Sequence, residues 1–265
     1  MHHLHITDQG RMFKPHQFLQ RHDGERIAYN VSSGKSPGVI YLNGFMSDMQ
    51  GTKALAVEEF CQNKGQNFIR FDYFGHGASS GDFKQGTISR WAEDALAILD
   101  ELTVGPQILV GSSMGAWLMF LVALRRPEKI KGLIGVAAGA DFTEDLIMAN
   151  MPDHLQESLN TIGYFETTLG GPEPFMYTIT QKLIEDGKLH LLLRNPIPYE
   201  GSVHLLHGMK DKDVPWQNSM RIADLLKTDD VTLNFVKNAG HRFSEPAEIA
   251  LLLTSIDQML KKINK

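Results

Sequence analysis

The chain has 265 residues, of which 42% are hydrophobic, and 26 basic against 31 acidic side chains give a formal net charge of −5 at pH 7. These proportions are typical of a globular protein of one or two domains, and they argue against the basic surface that nucleic-acid binding requires. The single cysteine, Cys61, cannot form an internal disulfide, which fits a reducing compartment.

Short apolar runs along the chain predict β-strands, and the helical patterns between them predict parallel βαβ units. The predicted strands cover residues 27–32, 38–43, 67–72, 107–111, 132–137, 203–207 and 232–237. The predicted helices cover residues 52–64, 89–102, 114–126, 217–226 and 246–262. Because the middle strands are almost entirely apolar, we expect helices to cover both faces of the sheet.

Residues 141–199 interrupt this alternation. The segment contains methionines, phenylalanines and short helical patterns at 143–150, 154–159 and 174–186, together with the sequence Gly170-Gly171-Pro172. We therefore predict a small helical cap inserted before the penultimate strand of a single α/β domain over residues 20–265. Residues 1–19 are expected to form an N-terminal extension.

The chain contains no apolar run of the ~18 residues that a membrane-spanning helix needs. Residues 1–20 lack the apolar core of a secretory signal and do not resemble an Arg- and Ser-rich mitochondrial presequence. His2, His3 and His5 are interpreted as an incidental terminus, with a metal-binding tract as the alternative. We expect a cytoplasmic protein without integral membrane association, and its oligomeric state is left open.

The sequence Gly111-Ser112-Ser113-Met114-Gly115 fits the G-x-S-x-G pattern of a nucleophile elbow. It follows an apolar predicted strand and opens a predicted helix, which is the strand–turn–helix context that the motif needs. Small residues flank the serine because such a turn is strained and tightly packed. The spacing selects Ser113 as the nucleophile, and the alternative is a Gly/Ser turn that matches the pattern by chance.

A serine hydroxyl needs a base to accept its proton and a carboxylate to orient that base. In folds that carry such an elbow, the acid and then the histidine follow the serine, each after a strand. Asp211 follows the predicted strand 203–207, and His241 follows the predicted strand 232–237. Asp213 is the alternative acid, but the Gly-x-x-Asp-x-x-Val-Pro pattern favours Asp211.

Acyl transfer also needs hydrogen-bond donors for the oxyanion of the tetrahedral intermediate. The backbone amide of Met114, directly after the nucleophile, is the first candidate donor. The second is the backbone amide of Phe45, in the loop after the predicted strand 38–43. An ordinary turn at Asn43-Gly44 is the alternative interpretation of that loop.

Several other residues receive structural interpretations. His207, at the end of a strand, and His76, in a Gly-His-Gly turn, are expected to be structural histidines, and Cys61 a core residue. The common zinc and nucleotide motifs are absent, so no metal or cofactor is expected. A plain core and an acyl-binding pocket both remain open for the apolar side chains of the segment 141–199, namely Met148, Met151, Phe165, Phe175, Met176 and Tyr177.

Five short stretches carry a closer likeness: residues 56–61, 68–73, 111–117, 205–211 and 214–216, with His241-Arg242. The whole arrangement resembles the α/β-hydrolase superfamily over residues 20–262. These stretches are similar to its branch of acyl-protein thioesterases and acyl-glucuronide esterases called alpha/beta hydrolase domain-containing protein ten, with its bacterial relatives. The resemblance implies a mostly parallel sheet flanked by helices, and hydrolysis of acyl esters or thioesters by Ser113, Asp211 and His241. The chain departs from the superfamily at Asn43, where a histidine is common.

We therefore predict a serine hydrolase that forms an acyl-enzyme on Ser113 and acts on a small-molecule or acylated-protein ester or thioester. An amidase or C–C bond hydrolase with the same triad is one alternative. The other, from a different class, is a catalytically silent protein that binds a ligand or partner. The presence of serine, aspartate and histidine together favours an enzyme.

Overall fold

The structure is a computed structural model that describes residues 15–169 and 175–264. Its sheet strands are β1 (Gln17–Gln20), β2 (Arg26–Ser32), β3 (Lys35–Leu42), β4 (Gln66–Phe71), β5 (Gln107–Ser112), β6 (Ile130–Val136), β9 (Ser202–Gly208) and β10 (Val231–Val236), and a separate pair is β7 (Tyr164–Leu169) and β8 (Phe175–Thr180). The described residues form an eight-stranded sheet in the order β1-β2-β4-β3-β5-β6-β9-β10. The pairs β1–β2 and β2–β4 are antiparallel and the others are parallel, which confirms the predicted sheet.

Helices cover both faces of this sheet. They are α1 (Thr52–Lys64), α2 (Ile88–Leu102), α3 (Met114–Arg125), α4 (Asp153–Ile162), α5 (Gln181–Gly187), α6 (Gln217–Leu225) and α7 (Pro246–Ile263). One face packs against α2 and α3, whose Trp91 and Trp117 are fully buried. The other packs against α1 and α7 through residues such as Cys61, a core residue as expected, and Ile256. This two-sided packing explains why β5 and β9 are buried along their whole length.

The start of α7 is determined by its local sequence. Glu245 and Glu248 each accept a hydrogen bond from the other's backbone amide, which forms a capping box. Pro246 occupies the first turn, where the helix needs no backbone donor. The fixed helix start limits the conformations of the preceding loop, which carries His241.

The insertion between β6 and β9 corrects the prediction of a helical cap. It contains a π-helical turn at Thr143–Ile147, a 3₁₀ turn at Met148–Asn150, α4 and α5, but its middle forms the antiparallel pair β7–β8. The predicted helix 174–186 is therefore wrong over residues 175–180. Threonine and aromatic residues are frequent there, and such side chains favour a pleated strand. The sequence Gly170-Gly171-Pro172 and the side chain of Phe175 lie outside the described residues.

One buried carboxylate joins the two ends of the insertion. Asp141, at its start, accepts hydrogen bonds from the backbone amides of Leu192 and Leu193 at 2.7 and 2.8 Å. Arg194 forms ion pairs with both Asp141 and Asp145. Because Asp141 is fully buried, these donors also compensate the carboxylate for its lost hydration. These contacts therefore hold the beginning and the end of the insertion together.

The N-terminal side of the sheet starts earlier than predicted. β1 lies at Gln17–Gln20, so three of its four residues fall in the predicted extension 1–19, and it pairs with β2 along its whole length. Its four residues contain no pattern that distinguishes a strand from a loop, and the pairing decides the conformation. His2, His3 and His5 lie outside the described residues. Within residues 15–169 and 175–264, no helix is both long enough and apolar enough to cross a bilayer.

Candidate active site

Ser113 lies on the sharp turn between β5 and α3. Its backbone has φ 54° and ψ −118°, a conformation that is strained for a residue with a side chain. A Cβ on Gly111 would overlap the backbone of the first turn of α3, and a Cβ on Gly115 would overlap the carbonyl oxygens of Leu42 and Asn43. The two glycines are therefore required by close backbone approach, and they allow the strained turn to form.

Two loops converge beside this turn, one after β9 and one after β10. The backbone amide of Lys210 donates to the carbonyl of Ala239 at 2.9 Å, which joins the two loops. The strands are parallel neighbours, so their carboxyl ends lie at the same edge of the sheet. This arrangement brings Asp211, from the first loop, next to His241, from the second.

Ser113, His241 and Asp211 form a continuous hydrogen-bonded chain. Nε2 of His241 lies 3.0 Å from Oγ of Ser113, and Nδ1 of His241 lies 2.8 Å from Oδ2 of Asp211. The Asp211 side chain is fully buried, whereas the His241 side chain is 20% exposed. This geometry allows the imidazole to take the serine proton while the carboxylate holds the ring. The catalytic roles remain predictions, and the geometry favours them.

The Asp211 carboxylate accepts hydrogen bonds on both oxygens. Oδ2 accepts from His207 at 3.0 Å and from His241 at 2.8 Å, and Oδ1 accepts from the backbone amides of Asp213 and Val214 at 2.9 Å each. Burial by itself would raise the pKa of Asp211, but these donors outweigh it and hold the pKa well below its usual range. Asp211 is therefore ionised at neutral pH, as the orienting acid of a triad must be.

Asp213, the alternative acid, lies beside Asp211, and Nδ1 of His241 donates its hydrogen bond to Asp211. Burial raises the pKa of Asp213, and the nearby charge of Asp211 adds to this effect. Asp211, Asp213 and His241 offer ligand atoms within 4.8 Å of one another. A metal ion bound through Nδ1 or Nε2 of His241 would break a bond of the Ser113–His241–Asp211 chain. The observed contacts therefore favour acid–base chemistry over metal binding.

The candidate oxyanion donors lie next to Ser113. A Cβ on Gly44 would lie 3.4 Å from the Cβ of Ser113, so the loop after β3 passes directly beside Ser113. In the part of the chain that the structure describes, the backbone amides of Phe45 and Met114 have no protein acceptor. Amides without an acceptor are available to a developing oxyanion.

Asn43 anchors the start of this oxyanion loop, which covers residues 43–49. Its Nδ2 donates to the carbonyl of Phe71 at 2.7 Å, and its own carbonyl accepts from the Tyr73 hydroxyl at 3.3 Å. Asn43 is buried, so these bonds form away from competing water. The amide side chain thus joins the loop to the end of β4, which an ordinary surface turn would not do.

His76 also holds the oxyanion loop, a contact that the sequence analysis missed. Its Nε2 accepts from the backbone amide of Met46 at 3.2 Å, and its Nδ1 donates to the carbonyl of Phe74 at 3.1 Å. Burial lowers the pKa of His76 to about 4, so the ring is neutral and Nε2 is an acceptor at neutral pH. Asp72 adds a second support by accepting from the amide of Met49 at 2.6 Å. No sequence motif signals the two contacts to the oxyanion loop, because Met46 and His76 are 30 positions apart and Met49 and Asp72 are 23 apart.

A cavity of about 720 Å³ opens onto Ser113 and His241. Its volume lies within the range of about 300–1,000 Å³ that is usual for small-ligand sites. Much of its lining is apolar and comes from the insertion, including Leu146, Ile147, Met151, Leu155, Phe165 and Tyr177. Lys53, Asp213 and Arg242 supply charged side chains to the same cavity. The cavity can therefore accommodate a ligand that has both an apolar and a polar part.

The sequence left open whether the apolar residues of the insertion form a core or line a pocket, and the structure divides them between the two positions. Met151, Phe165 and Tyr177 line the cavity. Met148 packs against the small core of the insertion, and Met176 is 49% exposed. Helical spacing could not predict which of these residues line the cavity. Phe165, Met176 and Tyr177 lie on strands, where successive side chains point to opposite faces.

A second serine–histidine–aspartate cluster lies where α5 and the 3₁₀ turn that follows it (Lys188–His190) meet α2. Nε2 of His190 lies 2.6 Å from Oγ of Ser89 and 3.8 Å from Oδ2 of Asp186. Both partners face the same ring nitrogen, so the ring cannot relay a proton between them. The backbone amide of Ser89 also donates to Asp186 at 2.7 Å. The cluster therefore ties the insertion to α2 and does not have the geometry of a second triad.

Comparison with known proteins places this geometry in context. A family model described as alpha/beta hydrolase fold matches residues 39–172. The human protein named palmitoyl-protein thioesterase ABHD10, mitochondrial, is 43% identical over 247 residues, which are 93% of this chain and 80% of that protein. The structure of alpha/beta hydrolase domain-containing protein 10 from mouse has 42% identity and a TM-score of 0.87, and the match covers 94% of this chain and 100% of that one.

A more distant structure shares the fold alone. Est1E from Butyrivibrio proteoclasticus, with bound ferulic acid, has a TM-score of 0.75 at 21% identity, and the match covers 94% of this chain and 100% of that one. Together with the nearer relatives, it confirms the fold that the motif order predicted. The fold is therefore retained far beyond the range in which the sequences are clearly similar.

The cytoplasmic location predicted from the sequence is wrong. The matching human, cattle and mouse relatives are all named as mitochondrial. The prediction depended on the absence of familiar targeting features in residues 1–20. Such an absence is weak support for a location, because targeting segments are defined by loose composition and not by a fixed motif.

Proposed function

The chain belongs to the α/β-hydrolase family, and on that basis we propose that it is a serine hydrolase that cleaves carboxylic esters or thioesters of acyl groups. The observation that carries this proposal is the hydrogen-bonded chain from Ser113 through His241 to Asp211. The match to the hydrolase family model and the relatives named as thioesterases support the same reaction class.

In the first half-reaction, Oγ of Ser113 attacks the substrate carbonyl carbon while Nε2 of His241 takes the hydroxyl proton. Asp211 keeps the imidazole oriented and stabilises the imidazolium. The tetrahedral intermediate places its negative charge on the former carbonyl oxygen, which accepts hydrogen bonds from the amides of Phe45 and Met114. When the intermediate collapses, the leaving group takes the proton from His241 and departs as a thiol or alcohol.

In the second half-reaction, water replaces the leaving group. His241 takes a proton from the water, whose oxygen attacks the acyl carbon on Ser113. When the second tetrahedral intermediate collapses, the bond between Oγ of Ser113 and the acyl carbon breaks, His241 gives its proton to Oγ, and the carboxylic acid is released. The two amide donors serve both steps, and each such donor is worth about 10²–10³ in turnover.

The cavity favours an acyl group with a substantial apolar chain. Met151, Leu155 and Phe165, all from the insertion, contribute apolar lining to the cavity that opens onto Ser113. Burying a methylene group stabilises a complex by about 0.8 kcal/mol, so binding should improve with chain length until the cavity is filled. The relatives named as palmitoyl-protein thioesterases support long-chain acyl thioesters, carried on a protein or a small molecule, as the substrate class.

Labelling with a fluorophosphonate probe tests the proposed nucleophile. Wild-type protein should become covalently labelled, and Ser113→Ala should not. Ser89→Ala is the matched control, because Ser89 belongs to the other serine–histidine–aspartate cluster, and this variant should be labelled like wild type. Folded wild-type protein that resists the probe would support a catalytically silent binding protein instead.

A substrate panel tests the reaction class. Acyl thioesters, p-nitrophenyl esters and anilides with the same acyl groups of graded length should be compared by kcat/KM. We expect thioesters and esters to be turned over much faster than the matched anilides. Anilide hydrolysis at a rate equal to that of the esters would favour an amidase.

A further inference from the structure

The side chain of His207 is fully buried behind the candidate triad. The sequence suggested a structural histidine at the end of β9, and the side chain is 0% exposed. Its Nε2 lies 3.0 Å from Oδ2 of Asp211 and 3.0 Å from the carbonyl oxygen of Val214. Its Nδ1 lies 2.7 Å from Oγ of Ser219, which is on α6 and is also fully buried. Both ring nitrogens are thus engaged in hydrogen bonds.

These contacts determine which ring nitrogen carries a proton. A backbone carbonyl can only accept, and so can the ionised carboxylate of Asp211. Nε2 of His207 must therefore be the donor to both. In the neutral ring, Nδ1 has a free lone pair and accepts from the Ser219 hydroxyl. The buried hydroxyl thereby selects the tautomer in which Nε2–H is directed at Asp211.

His207 and His241 donate to the same oxygen of Asp211. The distances to Oδ2 are 3.0 Å from His207 and 2.8 Å from His241. The other oxygen, Oδ1, accepts from the backbone amides of Asp213 and Val214. The carboxylate therefore cannot rotate without losing several hydrogen bonds. Its Oδ2 charge is also shared between two imidazole rings.

We propose that His207 is a positioning residue for catalysis, which fixes the Asp211 carboxylate and reduces the basicity that Oδ2 presents to His241. This inference rests on the proposed function, because it assigns Asp211 the role of the acid in a serine hydrolase. The hydrogen-bonded path then runs from Ser219 through His207 to Asp211, and from Asp211 through His241 to Ser113. His207 acts through Asp211 and does not contact the reacting atoms.

Removing the His207 donor has two expected consequences. Asp211 becomes free to rotate away from His241, which lowers kcat. The carboxylate also becomes more basic toward His241, so the imidazolium is favoured and the acid limb of the kcat/KM profile moves to higher pH. The other charged groups near this region, Asp213 and Arg242, are unchanged in the variants described below.

Two substitutions separate positioning from simple packing. His207→Leu removes both ring nitrogens and keeps an apolar side chain, whereas His207→Gln retains an N–H group near the position of Nε2. With a p-nitrophenyl ester as substrate, we expect the kcat of His207→Leu to fall by about 10- to 100-fold, by analogy with the loss of a hydrogen-bonding partner that orients a metal-ligating side chain. KM should change little, and the acid limb should move to higher pH. His207→Gln should recover much of kcat and return the acid limb toward its wild-type position.

Ser219→Ala provides an independent variant if His207→Leu does not fold. It removes the hydroxyl that selects the His207 tautomer, and it should shift the acid limb in the same direction by a smaller amount. Thermal unfolding of each variant reports whether the fold is intact. A folded His207→Leu variant with the wild-type pH profile, or a His207→Gln variant no better than His207→Leu, would overturn the inference.

The outcome also distinguishes failure of the inference from failure of the proposed function. Wild-type protein that is inert toward the fluorophosphonate probe and the esters contradicts the proposed function itself. Active wild-type protein together with an unaffected His207→Leu variant contradicts only the role of His207.

Discussion

The backbone amide of Met46 donates a hydrogen bond to Nε2 of His76 across 3.2 Å, and this bond ties the oxyanion loop to the loop after β4. Met46 has a φ of 53°, which is unfavourable for a residue with a long side chain. Its sulfur also accepts from the backbone amide of Thr178, on β8, at 3.4 Å. The backbone next to the candidate oxyanion donor is thus supported from the sheet and from the insertion.

Replacing His76 by phenylalanine tests this support. The substitution keeps an aromatic ring among the rings that surround His76 but removes the acceptor for the Met46 amide. Loss of one oxyanion donor costs about 10²–10³ in turnover, and we expect a smaller loss of about 10-fold because the donor is displaced and not removed. Steady-state kinetics on an ester should show this fall in kcat. His204→Phe, at a buried position on β9 outside the cavity lining, should retain wild-type kcat.

The buried His76 ring also predicts a pH dependence of stability. Burial lowers its pKa from 6.5 to about 4, so between these values the unfolded chain binds a proton that the folded protein does not. Stability therefore falls as the pH drops from 6.5 toward 4, by up to about 3 kcal/mol for this group. Asp72 has the opposite effect, because burial raises its pKa to about 6.

Urea unfolding of wild type and His76→Phe across this pH range isolates the histidine from Asp72. The free energy of unfolding of wild type minus that of His76→Phe should decrease as the pH is lowered. Only wild type has a buried histidine whose protonation favours the unfolded chain. A difference that stays constant from neutral pH to about pH 4 would show that His76 does not titrate as described.

Two glycine substitutions should have opposite results. In Gly115→Ala, the new Cβ overlaps the carbonyl oxygens of Leu42 and Asn43, so the elbow or the oxyanion loop must move. A displacement of about 1 Å at a catalytic centre can cost about 100-fold, and we expect at least that loss of kcat. Gly240→Ala meets no heavy atom within 4 Å and, although it is next to His241, should remain active. Equal activity of both variants would contradict the close-packing argument.

The insertion should set the preference for acyl chain length. Leu155 lies on α4 and lines the cavity, so Leu155→Trp should shorten the space for the acyl chain. We expect kcat/KM for long-chain thioesters to fall by about 10-fold or more, since one methylene in an apolar pocket is worth about 10- to 200-fold. Short-chain thioesters should be unaffected. Ile162→Trp, on the same helix but 61% exposed and outside this cavity, is the control and should keep the wild-type chain-length profile.

Local patterns were sufficient for most strands of the central sheet and for the helices that cover it. The predicted helix 52–64 is observed as Thr52–Lys64, and the apolar run at 107–111 is observed as Gln107–Ser112. Helical periodicity and the burial of parallel strands are properties of neighbouring residues, so they are visible along the chain. The hairpin of the insertion and the edge strand β1 were missed, because pairing with another strand decides their conformation.

The sequence by itself determined the fold class and predicted Ser113, Asp211 and His241 as the triad. The elbow motif and the order in which the acid and the histidine follow their strands can both be read from the sequence. Only the tertiary structure decided which acidic residue meets His241, and only it brought His76 against Met46 and His207 against Asp211. These side chains meet because parallel strands end at one edge of the sheet and their loops fold back over it. Such contacts depend on the packing of distant segments, which no local pattern of residues specifies.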